Sequence, residues 1–353
     1  MRLLALLVAS LLSACAAEPG PGFSDGEPTP TPTPVEPAFW QGWADEPITG
    51  LVETSNPGED PGCVQALEGC AEDYLAFPTR AAEHARPLSE AALEEALLAM
   101  RAGVPALLEP QDPAALGAAL GEALNIGFLL GGLHARPLEV RTIGQDAGAG
   151  FDAFELLFVD GWVGAFRGRL WLPEGGDWLP PILGIHGHAT EAVDLFDVYG
   201  GAELVAAGHP LLALDLRVNY ADDLEDTVQR ALLRSGFSLL ELRIYEAFLA
   251  MKYLRGRGDM EPALGLLAHS GGAAAMNVAL RLAPHVDAYA FDNTADYDCW
   301  LKNDRLLDDS VPAVHPYRGL INDVSTLEPA ILRADYGFPE GPDVLVAFFA
   351  EAL

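Results

Sequence analysis

One serine stands where chemistry is easiest to build. It lies in Ala268-His269-Ser270-Gly271-Gly272, where the apolar run Ala263 to Ala268 gives way to the small-residue stretch Gly272 to Leu282. A strand that turns sharply into a helix around a serine is a nucleophile elbow. It lifts the hydroxyl clear of the sheet and aims the next residue's N–H at a developing oxyanion. Such a turn tolerates only tiny neighbours, and Ala268, Gly271 and Gly272 meet that demand. The usual form is Gly-x-Ser-x-Gly; here Ala268 replaces the first glycine. A serine in an ordinary glycine turn is the bland alternative.

The elements around Ser270 alternate. Leu138–Ile143, Phe154–Val159 and Phe166–Leu172 read as successive strands, with turns at Asp160-Gly161 and Glu174-Gly175-Gly176. Pro181–Ile185, Pro210–Leu216, Ala263–Ala268, Ala288–Phe291 and Pro329–Ala334 read as further strands. Helices are predicted over Thr190–Ala207, Ser238–Leu254 (strongly amphipathic), Gly272–Leu282 and Pro342–Leu353. Alternation of this kind predicts an α/β fold, a mostly parallel sheet with helices on both faces, with ligands at the carboxyl ends of its strands. Ser270 lies at one of those ends.

Ahead of this domain the chain has three parts. Residues 1–15 begin with Arg2, run through a short apolar core and end Leu12-Ser13-Ala14-Cys15, a signal peptide too short to span a bilayer. Residues 16–62 contain no Lys or Arg and include Thr29-Pro30-Thr31-Pro32-Thr33-Pro34, an acidic, extended tether. Residues 63–136 form a helical extension. Ser89 caps a helix carrying Leu93, Leu97, Leu98 and Met100, and Asp112-Pro113 opens another with Leu116, Leu120, Leu124 and Phe128. Stabilising packing is the simpler role for this extension, a lid over the site the sharper one. The alternating α/β domain then covers 137–353.

The chain has 353 residues and a formal charge of −32, with 52 acidic against 20 basic residues. That balance repels phosphate backbones and argues against nucleic-acid binding. Only Lys252 and Lys302 are lysines, and this Arg-over-Lys, Ala-rich composition fits a GC-rich genome, with salt adaptation as another reading of the acidity. Cys63 and Cys70 are seven apart; a bridge between them requires an intervening turn, because one straight helix holds them too far apart. Cys299 reads as a half-buried thiol, and no Cys-x-x-Cys or His-rich cluster suggests a metal; no cofactor is expected.

The residues before Cys15 resemble a bacterial lipoprotein processing box. That resemblance implies cleavage before Cys15, a lipid on the cysteine, and anchorage in the cell envelope; Ala16, rather than Asp, points to the outer membrane. Across roughly 137–353 the chain resembles the alpha/beta-hydrolase superfamily, nearest its dienelactone-hydrolase and acetyl-xylan-esterase-like branch. Ile182-Leu183-Gly184-Ile185-His186-Gly187-His188 is similar to the strand ending in His-Gly that supplies half of the oxyanion hole. Leu211-Leu212-Ala213-Leu214-Asp215-Leu216-Arg217 is similar to the family's next strand, and Arg257 to Ser270 to the approach to its nucleophile.

The resemblance implies ester hydrolysis with Ser270 as nucleophile, the Gly271 N–H as one oxyanion donor, and a backbone N–H near Gly187 or His188 as the other. His186 and His188 then shape the loop or face substrate, and His269 points away from its neighbour Ser270. The family's base follows the nucleophile in the chain. Only His285 and His315 do so here; His285 falls at the wrong end of the sheet and His315 at the right one. Asp292 is the acid in the order Ser270, Asp292, His315, with Asp296, Asp298 and Asp323 as alternatives. The chain departs from the family in the 335–341 loop, which holds no His where the last strand–helix loop normally supplies one. The expectations are therefore a lipid-anchored esterase acting on small-molecule or carbohydrate esters, a hydrolase-fold lipoprotein that binds without catalysis, and, lowest, a peptidase.

Overall fold

The computed structural model describes residues 48–54, 71–101, 112–188, 190–218, 222–282, 286–292, 311–327, 329–334 and 341–353. All lie in the unit Pro37–Leu353; the unit Met1–Glu36 falls outside them. The expectations for Cys15, Cys63, Cys70, His285, Asp296, Asp298 and Cys299 also fall outside the described residues.

The alternating segments form β2 (Leu138–Gly148), β3 (Phe151–Asp160) and β4 (Gly164–Pro173), an antiparallel meander. Asp160 closes the turn into β4: its Oδ1 accepts the N–H groups of Trp162 at 2.8 Å and Val163 at 3.1 Å. The continuous apolar runs form β5 (Ile182–Ile185), β6 (Leu211–Asp215), β7 (Gly265–His269), β8 (Ala288–Asp292) and β9 (Ala330–Ala334). Among the described residues the sheet has nine strands, counting β1 (Leu51–Thr54), in the order β1-β2-β3-β4-β6-β5-β7-β8-β9, parallel from β6 through β9. Strand β1 pairs in parallel with β2 from Leu51↔Leu138 to Thr54↔Arg141. The 16–62 tether is thus not unpacked throughout; its last part contributes an edge strand.

Alternate residues of the central strands feed two cores. Leu183, Ile185, Leu212, Leu266, Tyr289 and Phe291 face one, with the helices Leu239–Gly256 and Ser270–Leu282. Ile182, Leu211, Ala213, Leu267 and Ala290 face the other, with Ala192–Asp197, Gly201–Ala206 and Pro342–Ala352. The single helix expected over Thr190–Ala207 is two short ones, broken where Gly200 takes φ +84°.

Leu239–Gly256 was expected to be amphipathic, yet every side chain from Leu239 to Leu254 is buried. It begins with a reciprocal capping box: Ser238 Oγ accepts the Glu241 N–H at 3.1 Å, and Glu241 Oε2 accepts the Ser238 N–H at 3.3 Å. Its polar positions survive burial because partners come from other elements. Arg243 donates to Glu225 at 2.9 Å, Glu246 accepts from Tyr74 at 2.9 Å and from Arg217, and Lys252 donates to the Leu133 carbonyl at 2.9 Å. Glu225 lies on Asp222–Ser235, a helix for which the sequence pattern supplied no expectation.

The extension packs as core. Leu93, Leu97, Met100, Leu116, Leu120 and Leu124 join the main cluster, while Leu98 is exposed. Ser89 accepts the Ala92 N–H at 3.2 Å, as a cap should. The helix Pro113–Leu124 ends before Phe128, at Asn125 with φ +55°. Gly117 allows that helix to approach Ser270–Leu282 closely: a Cβ there would sit 2.4 Å from the Arg281 carbonyl oxygen.

Candidate active site

The sheet order reverses direction at β5. The chain leaves β5 for β6 on one side and later enters β7 on the other. A crevice opens at such a switch, beyond the carboxyl ends of the strands. Two sequence-selected segments meet there: His186-Gly187-His188 after β5 and Ser270-Gly271-Gly272 after β7, aligned by the parallel register Ile185↔Ala268.

Ser270 has φ +49°, one of three described non-glycine residues in the left-handed region, with Asn125 and Val218. That conformation disfavours a side chain and persists only where packing enforces it. The enforcement is visible. A Cβ on Gly187 would lie 2.6 Å from Ser270 Cβ, and one on Gly272 would lie 2.4 Å from the His186 carbonyl oxygen. A Cβ on Gly271 would lie 2.3 Å from both Nδ1 and Cε1 of His188. Steric need therefore accounts for each of these three glycines. Ala268, in place of the first elbow glycine, is fully buried within β7. Ser270 itself is 8 % exposed.

His186 is a strut. Its Nε2 accepts the Leu216 N–H at 2.9 Å, so the proton sits on Nδ1, which donates to the Gly187 carbonyl at 2.9 Å. Burial lowers its pKa to about 4, outweighing the opposing pull of the Asp215 carboxylate. The imidazole is neutral and ties the turn after β5 to the loop after β6. That loop contains the buried Val218 at φ +64°.

His188 Nε2 lies 3.3 Å from Glu225 Oε1. His269 hydrogen-bonds through Nδ1 with Asp292 Oδ1, a pairing set by the register His269↔Asp292 between β7 and β8. The His269 ring stacks on Tyr199 at 4.0 Å. Asp292, expected to orient His315, therefore already binds the residue preceding the serine. His315 lies on the segment after β8, opens the turn His315–Tyr317 and is 3 % exposed; its N–H donates to Val311 at 3.0 Å. The Asp323 carboxylate accepts from the Ser325 N–H at 3.3 Å and from the Ser325 hydroxyl at 2.5 Å.

Sequence reasoning missed Glu225 and Tyr199. Glu225 is one acid among several in Asp222-Asp223-Leu224-Glu225-Asp226, with nothing local to mark it out. Among the described residues no group of three or more His, Cys, Asp and Glu side chains is arranged to hold a metal ion. A cavity of about 370 Å³ lined by Val140, Phe154, Leu172, Tyr253 and Arg257 includes none of the residues around Ser270.

No protein-family model matches the chain, and no curated protein matches its sequence. Solved structures resemble it. An acetyl xylan esterase from Paenibacillus sp. R4 superposes with a TM-score of 0.50 at 11 % identity, over 73 % of this chain and 99 % of that one. Acetyl xylan esterase 1 from Thermoanaerobacterium sp. JW/SL YS485 gives 0.45 at 14 % identity, over 72 % and 98 %. A Bacteroides fragilis protein assigned as an acetyl xylan esterase gives 0.46 at 17 % identity, over 59 % of this chain and 61 % of its own length. What the first of these shares with this chain is its α/β fold, a mostly parallel sheet wrapped by helices.

Proposed function

We propose that this chain is a carboxylic ester hydrolase of the cell envelope, with Ser270 as its nucleophile. The observation that carries the reading is the left-handed Ser270 at the carboxyl end of β7, pressed against Gly187 at the switch point. An ordinary turn has no reason to hold a serine in that strained state. In this reading Ser270 Oγ attacks the ester carbonyl carbon as its proton passes to the base. The tetrahedral oxyanion is met by the Gly271 N–H and by a backbone N–H of the Gly187–His188 turn. The alcohol leaves with the proton, and water then releases the acid from the serine. His315 is the base and Asp292 the acid, in the chain order Ser270, Asp292, His315. Acetyl or other acyl groups on carbohydrates are the proposed substrates.

The bond between Asp292 and His269 favours a second reading, a protein of this fold that binds an ester or glycan without turning it over. A fluorophosphonate probe separates the two. The first expects covalent labelling at Ser270 and turnover of p-nitrophenyl esters, both abolished by Ser270→Ala. A folded protein that is neither labelled nor active overturns it and leaves the second. Esters of graded chain length then define the acyl pocket. Anchorage through a lipid on Cys15 is proposed with either reading. Incorporation of a labelled fatty acid, lost in Cys15→Ala, tests it.

A further inference from the structure

Three buried side chains from three elements converge, and one of them, His188, packs against Gly271 next to Ser270. Glu225, from Asp222–Ser235, is fully buried, and Arg243, from Leu239–Gly256, is 1 % exposed. The His188 side chain, on the turn after β5, is 6 % exposed. A single oxygen, Glu225 Oε1, lies 2.9 Å from Arg243 Nη1 and 3.3 Å from His188 Nε2. Arg243 Nη2 also donates to the Arg217 carbonyl at 3.3 Å, so the same chain holds the loop after β6. At its other end, the Nδ1–Cε1 edge of His188 occupies the space where a Cβ on Gly271 would stand.

Stability alone is a poor reason for this arrangement. Burying charges is expensive, and apolar replacements of a buried ion pair are often as stable or more so. A fixed position is a better reason. Gly271 bears one of the two N–H groups assigned above to the oxyanion and the Gly187–His188 turn bears the other, and the His188 imidazole packs against Gly271. Donors for a developing charge work only when held in place before the reaction, within a fraction of an ångström.

We propose that Glu225, clamped by Arg243, is a positioning residue for oxyanion stabilisation at Ser270, acting through the ring of His188. This rests on the ester-hydrolase reading and deepens it. Glu225 fixes the imidazole, and the imidazole sets the spacing between the Gly187–His188 turn and Gly271. The anionic tetrahedral state is affected, while the neutral ground-state ester is not.

The test uses the full chain with p-nitrophenyl acetate and a trifluoromethyl ketone that forms a tetrahedral adduct. Glu225→Gln is expected to lower kcat and kcat/KM together by about 10- to 100-fold with KM unchanged, because the lost interaction exists only in the transition state. Affinity for the trifluoromethyl ketone falls by a similar factor. Glu225→Asp recovers part of both, and it carries the test if Glu225→Gln does not fold. Arg243→Lys falls between Glu225→Gln and the parent chain. The proposal is overturned if Glu225→Gln and Glu225→Asp keep kcat and ketone affinity within twofold while only Tm drops, or if KM alone changes. Ser270→Ala separates the two levels. If it retains turnover, the ester-hydrolase reading fails and this proposal with it. If it is inactive while Glu225→Gln is fully active, only the positioning role fails.

Discussion

Gly187 and Ser270, 83 positions apart in the chain, approach so closely that a methyl group on the glycine would lie 2.6 Å from the serine Cβ. The same methyl would meet the His269 carbonyl oxygen at 2.9 Å and His269 Cδ2 at 3.0 Å. The turn after β5 and the elbow after β7 are therefore one packed unit. Gly187→Ala should force them apart, costing about 1–3 kcal/mol of stability. On the proposed ester-hydrolase reading its effect at Ser270 should be larger, more than about 100-fold in fluorophosphonate labelling rate, since small misplacements of a reacting group are amplified. A labelling rate unchanged in a folded Gly187→Ala protein would remove Gly187 from the site.

Strain at Ser270 should be measurable by itself. Glycine adopts φ near +49° without a Cβ penalty, so Ser270→Gly should raise the unfolding free energy by about 1 kcal/mol and, on the proposed ester-hydrolase reading, eliminate turnover. Urea unfolding of the two proteins checks the sign. A destabilised Ser270→Gly variant would mean that the hydroxyl, and not the backbone, is what the fold values there.

His186 gives the fold a dependence on acid. Its pKa falls from 6.5 to about 4 on burial, so between those values the unfolded chain binds the proton and the folded protein does not. Stability from this group is complete above about pH 6.5 and is lost as pH falls towards 4, a contribution on the order of 3 kcal/mol. Denaturation curves collected from pH 7.5 to 4 should show the decline. His186→Gln, less stable at neutral pH, should show a shallower one; equal slopes would exclude His186 as the cause.

The pair of Arg217 and Glu246 ties the helix Ala71–Arg80 to the sheet and its helices. Arg217 bonds Glu246, stacks over the Tyr74 ring at 3.8 Å and donates to the Val163 carbonyl at 2.9 Å, while Tyr74 donates to the same Glu246. Arg217→Met leaves a buried carboxylate without its hydrogen-bonded cation and should cost about 3–5 kcal/mol. Adding Glu246→Gln removes the stranded charge and keeps an acceptor for Tyr74, so the double variant should regain most of that loss. Thermal unfolding of the three proteins decides it, and additive losses would show that the two side chains are not coupled.

The sequence by itself determined what depends on near neighbours. The run Ala263 to Ala268 followed by Ser270-Gly271-Gly272 reads as a strand turning tightly into a helix, because small residues next to a serine are a local steric requirement, and β7 does pass directly into the helix Ser270–Leu282. The apolar runs behind β5 to β8 are legible for a similar reason: strands buried on both faces need unbroken hydrophobicity. The edge strand at Leu51–Thr54 was hidden by its acidic, Pro-rich surroundings, and the break at Gly200 by an otherwise helical pattern. Tertiary structure alone decided the polar partnerships. Register between β7 and β8 delivers Asp292 to His269, and the fold of Asp222–Ser235 over the turn after β5 delivers Glu225 to His188. A buried charge is tolerable only where distant chain brings its counterpart, so the pairing is a property of the assembled sheet and helices. No stretch of sequence around either residue carries it.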